Sequence, residues 1–168
     1  MGDIRKLRKK FATPNHPWIK ERIEAEKEIV KNYGLKRKNE IWKMDSLLRK
    51  YLSRAKTIIA LRTAQSEIEK KQLLERLAHL GLLKKGSRVE DTLNLTLKNI
   101  MERRLQTLLV RKQIAKSMMQ ARQFITHENV AIGKRKITSP SYLVSVDDEN
   151  HIKLTRPIVI TSEQKEAK

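Results

Sequence analysis

The chain has 168 residues, no cysteine, 39% hydrophobic and 4% aromatic residues, and 38 Lys or Arg against 19 Asp or Glu, a formal net charge of +19. No apolar run approaches the ~20 residues of a membrane span, and without cysteine neither a disulfide nor a cysteine-held zinc can staple the fold. Such a positive excess repels itself unless a polyanion neutralises it, so nucleic acid is the expected partner class, ahead of an anionic membrane surface.

Residues 1–16 carry Arg5, Lys6, Arg8, Lys9 and Lys10 with few apolar anchors, and read as a basic tail that orders on a partner. No apolar segment follows them, so they are not a secretory signal, and a cytoplasmic address is expected. Pro17 suits the first turn of a helix whose apolar residues are Trp18, Ile19, Ile23, Ile29 and Val30, stopped at Gly34. A second helix from about Asn39 carries Ile41, Met44, Leu48, Tyr51, Leu52, Ala55, Ile58 and Ile59 at helical spacing, with Lys43, Arg49, Lys50, Arg54 and Lys56 opposite. A third, from about Ala64 to Leu80, is expected to bury Ile68, Leu73, Leu74, Leu77 and Leu80 and to end at Gly81.

After residue 91, the alternation of Leu93, Leu95 and Leu97 predicts a short extended link. Helical spacing returns with Ile100, Met101, Leu105, Leu108 and Leu109, and places Arg104 and Arg111, seven apart, on one outward face. Ser117-Met118-Met119-Gln120 has the form of a capping box opening a helix through Ala121, Phe124 and Ile125. From Val130 the period becomes two: Val130 and Ile132, a turn through Gly133-Lys134-Arg135, then Ile137. Tyr142, Val144 and Val146 follow, then a turn at Asp147-Asp148-Glu149-Asn150, then Ile152 and Leu154. The expected fold class is α+β: a helical N-terminal region, then a helix–helix–β-hairpin module with a short antiparallel sheet.

The charge is concentrated. Residues 1–62 hold 18 Lys or Arg against 7 Asp or Glu, residues 63–102 hold 7 against 6, residues 103–144 hold 9 against 1, and residues 145–168 hold 4 against 5. An ordinary solvated surface mixes both signs, so the two basic blocks read as RNA-facing. The candidate contacts in the first block are the five tail cations together with Lys36, Arg37, Lys38, Arg49 and Lys50. Those in the second are Arg103, Arg104, Arg111, Lys112, Lys116, Ser117, Arg122, Gln123, Lys134, Arg135 and Lys136. Catalytic chemistry is not expected. His16, His79, His127 and His151 lie far apart, no glycine-rich phosphate loop exists, and Asp147-Asp148-Glu149 reads as a turn. No metal, cofactor or small-molecule substrate is therefore expected.

The second block also carries a resemblance. Glu102-Arg103-Arg104-Leu105-Gln106-Thr107, Ala115-Lys116-Ser117, Ala121-Arg122-Gln123-Phe124-Ile125, Val130-Ala131-Ile132 and Pro140-Ser141-Tyr142 look like the small RNA-binding module named for small-subunit ribosomal protein four. Upstream, Thr13-Pro14, Pro17-Trp18, Tyr33-Gly34-Leu35-Lys36, Asn39-Glu40-Ile41-Trp42 and Leu80-Gly81-Leu82-Leu83 resemble the archaeal and eukaryotic branch of that ribosomal family. The likeness spans about residues 8–156. It departs from the family where Gly133-Lys134 replaces a common Asn-Gly turn and where Met118 follows Ser117 in place of a common Arg.

The expected organisation is a tail over 1–16, a helical domain over 17–102, the module over 103–156 and a C-terminal tail over 157–168; the resemblance assigns 103–156 to the RNA-binding module. It also implies direct binding to small-subunit ribosomal RNA, nucleation of subunit assembly, contact with small-subunit protein five and a contribution to translational accuracy. Enzymes that borrow the module add a catalytic domain, whereas the remainder here reads as a helical ribosomal-type extension. A transient ribosome-recycling binder is the third class.

Overall fold

A computed structural model describes residues 9–61 and 63–155 of the protein; the tail cations Arg5, Lys6 and Arg8 and the chain from residue 156 onward lie outside the described residues. The first helix, α1 (Lys20–Asn32), starts three residues after Pro17. Ile19 is extended at its N-cap, and Arg22 Nη2 donates to the Pro17 carbonyl at 2.9 Å. That extended residue breaks the helical period, so Trp18 and Ile19 are exposed and do not join the apolar series expected of them. At the other end Gly34 takes φ +56°, and Leu35 N–H reaches the Val30 carbonyl at 3.0 Å, the reversed turn that satisfies the last carbonyls of a helix.

Helix α2 (Asn39–Ala60) buries Ile41, Met44, Leu48, Tyr51, Ala55 and Ile58, the stripe expected from sequence, while Ile59 is exposed. Helix α3 (Ala64–His79) is opened by a reciprocal pair of bonds between Thr63 and Ser66 and buries Leu73 and Leu77 against α2. Ile68 stays 52% exposed. Five residues of helix rotate it about 140° from Leu73, off the stripe that meets α2.

The link after α3 is not extended as expected. Glu90–Asn94 forms a 3-10 turn in which Asp91 Oδ2 accepts from Arg88 N–H at 2.9 Å; such a local side-chain bond favours a turn over a strand. Leu93 is consequently exposed and Leu95 buried. Helices α4 (Leu97–Glu102) and α5 (Leu105–Arg111) follow as two separate pieces, and α6 (Met118–Thr126) packs against α5. At the start of α6, Ser117 Oγ accepts from Gln120 N–H at 3.2 Å, as the capping box requires. The return bond is shifted by one residue: Gln120 Oε1 accepts from Lys116 N–H at 2.8 Å.

Strands β1 (Val130–Ile132), β2 (Arg135–Lys136) and β3 (Ile152–Leu154) form an antiparallel sheet in the order β2-β1-β3, with Ile132 opposite both Arg135 and Ile152. Two residues close the hairpin. Gly133 has φ +58° and Lys134 is not in the left-handed region, the sign pattern of a type II′ turn, whose first central position favours glycine. Tyr142 to Val146 do not continue as a strand. Leu143 makes a single bridge to Arg104, and Ser145 then caps a one-turn helix, α7 (Val146–Glu149), through a 3.0 Å bond from Asp148 N–H. Three acidic residues in that first turn suit the positive end of a helix.

The class is α+β. The buried side chains fall into two clusters, one from Leu35 to Met101 and one from Leu105 to Ile152. Each fully buried Leu or Ile contributes about 1.5–3 kcal/mol. The clusters divide at the α4–α5 corner, the pair Arg103-Arg104.

Candidate nucleic-acid interface

That corner decides which cations are available. Arg104 is extended, with φ −72° and ψ 141°, and is the N-cap of α5, not part of a continuous helix. The seven-residue spacing to Arg111 therefore does not place the two on one face. Arg104 is 1% exposed, and its Nη2 donates to Glu40 Oε2 at 2.6 Å. This corrects the expectation of an outward-facing Arg104: its charge is neutralised inside the protein. Arg103 bonds Glu149 Oε2 at 2.8 Å and the Val144 carbonyl at 3.2 Å, and Lys112 Nζ donates to the Glu149 carbonyl. Both are thus turned toward α7. Arg111 stays exposed but pairs with Glu102 at 2.7 Å.

Glu40, in the first turn of α2, also receives Arg122 from α6, with Nη2 3.0 Å from Oε1 and Nη1 3.4 Å from Oε2. One carboxylate thus holds two guanidiniums that come from the far side of the core division. Burial pushes the Glu40 carboxyl up, but hydrogen bonds from Arg104 and Arg122, with their charges, outweigh it and hold the group below the ordinary Glu range. A depressed carboxylate contributes stability that is present above its unfolded pKa and is lost as pH falls through the folded value. The stability difference between the native chain and Glu40→Gln should therefore be constant near neutrality. It should shrink on acidification below the ordinary Glu range, as urea denaturation at a series of pH values would measure.

A second clip lies beside it. The buried Gln106 side chain donates to the carbonyls of Tyr33 and Gly34, each at 3.2 Å, and of Met118 at 2.8 Å. The backbones approach so closely that a Cβ on Gly34 would sit 2.7 Å from Met118 Cβ. Gly34→Ala should therefore destabilise the chain by about 2–4 kcal/mol, combining a left-handed φ with overpacking. A urea midpoint unchanged from the native chain would show that this contact is not tight in solution.

Where the Gly34 turn meets the start of α6, a cleft of about 930 Å³ opens, lined by Gly34, Leu35, Lys36, Ser117, Met119, Gln120, Arg122, Gln123, Thr126 and His127. Of the sequence candidates, Lys36, Ser117, Arg122 and Gln123 converge here, and exposed Lys116 adjoins Ser117. Lys134, Arg135 and Lys136 are exposed on the hairpin. Lys9, Lys10, Arg37 and Lys50 are exposed but do not line this cleft, while Lys38 pairs with Glu26 and Arg49 with Asp45. Sequence reasoning missed Glu40 and Gln106 as the clips and gave no weight to Thr126. His127, near a helix end, reads from sequence as a phosphate donor or a plain surface residue, and it lines the cleft. Among the described residues no group of His, Cys, Asp and Glu could hold a metal, and no helix is long and apolar enough to cross a membrane.

The S4 domain family matches residues 103–150, which include the corner, α5, α6, the hairpin and α7. The small ribosomal subunit protein uS4 of Saccharolobus solfataricus is 47% identical over 153 residues, covering 90% of this chain and 84% of that protein. The uS4 protein of Saccharolobus islandicus strain L.S.2.15 is 46% identical with the same coverage. The chain belongs to the uS4 family of small ribosomal subunit proteins. The S4 domain supplies one wall of the cleft, from Ser117 to His127. The other wall, from Gly34 to Lys36, and the Glu40 carboxylate lie outside it, in the N-terminal part that the S4 domain match does not cover.

Proposed function

We propose that this uS4 chain is a non-catalytic constituent of the small ribosomal subunit that binds small-subunit ribosomal RNA directly through the cleft and the hairpin. The observation that carries the reading is the convergence of Lys36, Ser117, Arg122 and Gln123 in one concavity. Cations and hydroxyl or amide donors set on a concave face suit an RNA backbone read by its shape. The relatives' role as small ribosomal subunit proteins supports it. On this reading, residues 17–102 are a helical body and 103–156 an RNA-binding module, flanked by a basic tail over 1–16 and a C-terminal tail over 157–168. The protein works in the cytoplasm, nucleates assembly of the subunit body, adjoins small-subunit protein five and contributes to translational accuracy.

The test is equilibrium binding of the full chain to a fragment of the 5′ region of small-subunit ribosomal RNA, against unrelated structured RNA of equal length. Tighter binding to the ribosomal fragment is expected. Equal affinity for the two RNAs would overturn the reading.

A further inference from the structure

We propose that Glu40 is a positioning residue for the RNA cleft: by gripping Arg104 and Arg122 together it fixes the Arg122 guanidinium between the cleft's two walls. The inference rests on the RNA-binding reading above and assigns to an acid a role in holding a polyanion. Three observations lead to it.

The cleft is composite. Gly34, Leu35 and Lys36 come from the turn before α2, and Ser117 to His127 come from α6 and its flanks, with 80 residues of chain between Lys36 and Ser117. The two sides belong to different buried clusters, and the Gln106 clip and the close approach of Gly34 to Met118 join them at the start of α6, one turn short of Arg122.

Glu40, which does not itself line the cleft, spans that division beside it. It sits four residues after Lys36 on one side and grips Arg122, itself a lining residue, on the other. Arg122 is anchored through both its Nη atoms, so its guanidinium is held within the cleft with little freedom to swing away.

The chemistry requires a carboxylate. Arg104 takes Oε2 and Arg122 takes Oε1, with a longer contact to Oε2. An amide keeps one neutral acceptor oxygen and turns its NH₂ donors toward a guanidinium, so glutamine loses either the 2.6 Å bond from Arg104 or the 3.0 Å bond from Arg122. Arg104, almost wholly buried, then competes for the single oxygen. Arg122 then keeps at most the 3.4 Å contact, and its guanidinium is free to swing out of the cleft.

The consequence has a sign opposite to simple electrostatics. Removing an acid near a polyanion ordinarily strengthens binding. If Glu40 positions the cleft, Glu40→Gln weakens it instead, by roughly tenfold, as the fixed place of Arg122 is lost. Glu128, exposed beside His127 and outside the cleft lining, is the internal control; Glu128→Gln should bind RNA as tightly as the native chain or tighter.

Glu40→Gln also leaves Arg104 buried without its partner, so a second variant separates positioning from stability. In Glu40→Met/Arg104→Met the buried charge and its acid are gone together and unbranched apolar side chains fill their places, which restores stability and leaves Arg122 no acceptor. Arg122 remains unanchored. The experiment measures melting temperature and affinity for the ribosomal RNA fragment across a salt series, on full chains of all four proteins.

The proposal expects the double variant to melt near the native temperature while its affinity stays low. Recovery of affinity together with stability would mean that Glu40 acts only on the fold, and would overturn the proposal. So would tighter binding by Glu40→Gln, in line with Glu128→Gln. Failure of the native chain to prefer the ribosomal fragment would instead overturn the RNA-binding reading itself, so the two failures are distinct.

Discussion

An Arg104→Glu variant will lose about 3–5 kcal/mol of stability, a large part of what holds a typical domain together. The substitution sets a second carboxylate against Glu40 Oε2, which now receives Arg104 Nη2 at 2.6 Å, at a site 1% exposed. Arg122 alone then has to serve two acids across the division between the clusters. The obvious sequence-based expectation is the reverse: a basic residue in a basic block should tolerate charge reversal and lose only RNA affinity. Arg111→Glu supplies the contrast. Its side chain is 56% exposed and its partner Glu102 is also solvent-accessible, so the pair is worth at most about 1 kcal/mol. Guanidinium denaturation followed by circular dichroism distinguishes the two. Equal midpoints for Arg104→Glu and Arg111→Glu would show that the buried pair is not structural.

Binding to the ribosomal RNA fragment will fall steeply with salt. Lys36 and Lys116 at the cleft and Lys134, Arg135 and Lys136 on the hairpin are exposed and form no ion pair among the described residues. If each neutralises one phosphate, five contacts give a slope of about −3.5 to −4.5 in log affinity against log salt, the range from single-stranded to duplex RNA. Raising salt from about 50 to about 200 mM would then weaken binding roughly 100- to 500-fold. Replacing Lys134, Arg135 and Lys136 together by Ala should reduce the slope by about 2 to 2.7 while leaving the fold intact, since β2 is exposed at both positions. Fluorescence anisotropy over a salt series gives both numbers. A flat dependence would mean that these cations do not touch phosphate.

The difference between Arg104 and Lys36 shows what each level of organisation controls. Local sequence determined the α2 stripe from Ile41 to Ile58, because burial against one side follows a 3.6-residue period. It determined the stops at Gly34 and Gly81, both at positive φ, the Ser117 cap and the hairpin at Gly133, because each depends on neighbours within a few residues. It also located the two basic blocks and carried the likeness to the ribosomal family.

Tertiary structure alone decided which of those cations remain free. The bonds from Glu40 to Arg104 and Arg122 span 64 and 82 residues, and Gln106 reaches Gly34 across 72. Ion pairs at such separations impose no period on the sequence, so an arginine in a basic run reads the same whether it faces solvent or a buried acid. The helix break at Arg103-Arg104 compounded this: one extended residue between α4 and α5 turned Arg104 inward and removed the shared face with Arg111. The concentration of positive charge was written in the sequence. Its division into charges that hold the fold and charges left for a phosphate backbone was set by where Glu40, Glu102 and Glu149 come to lie.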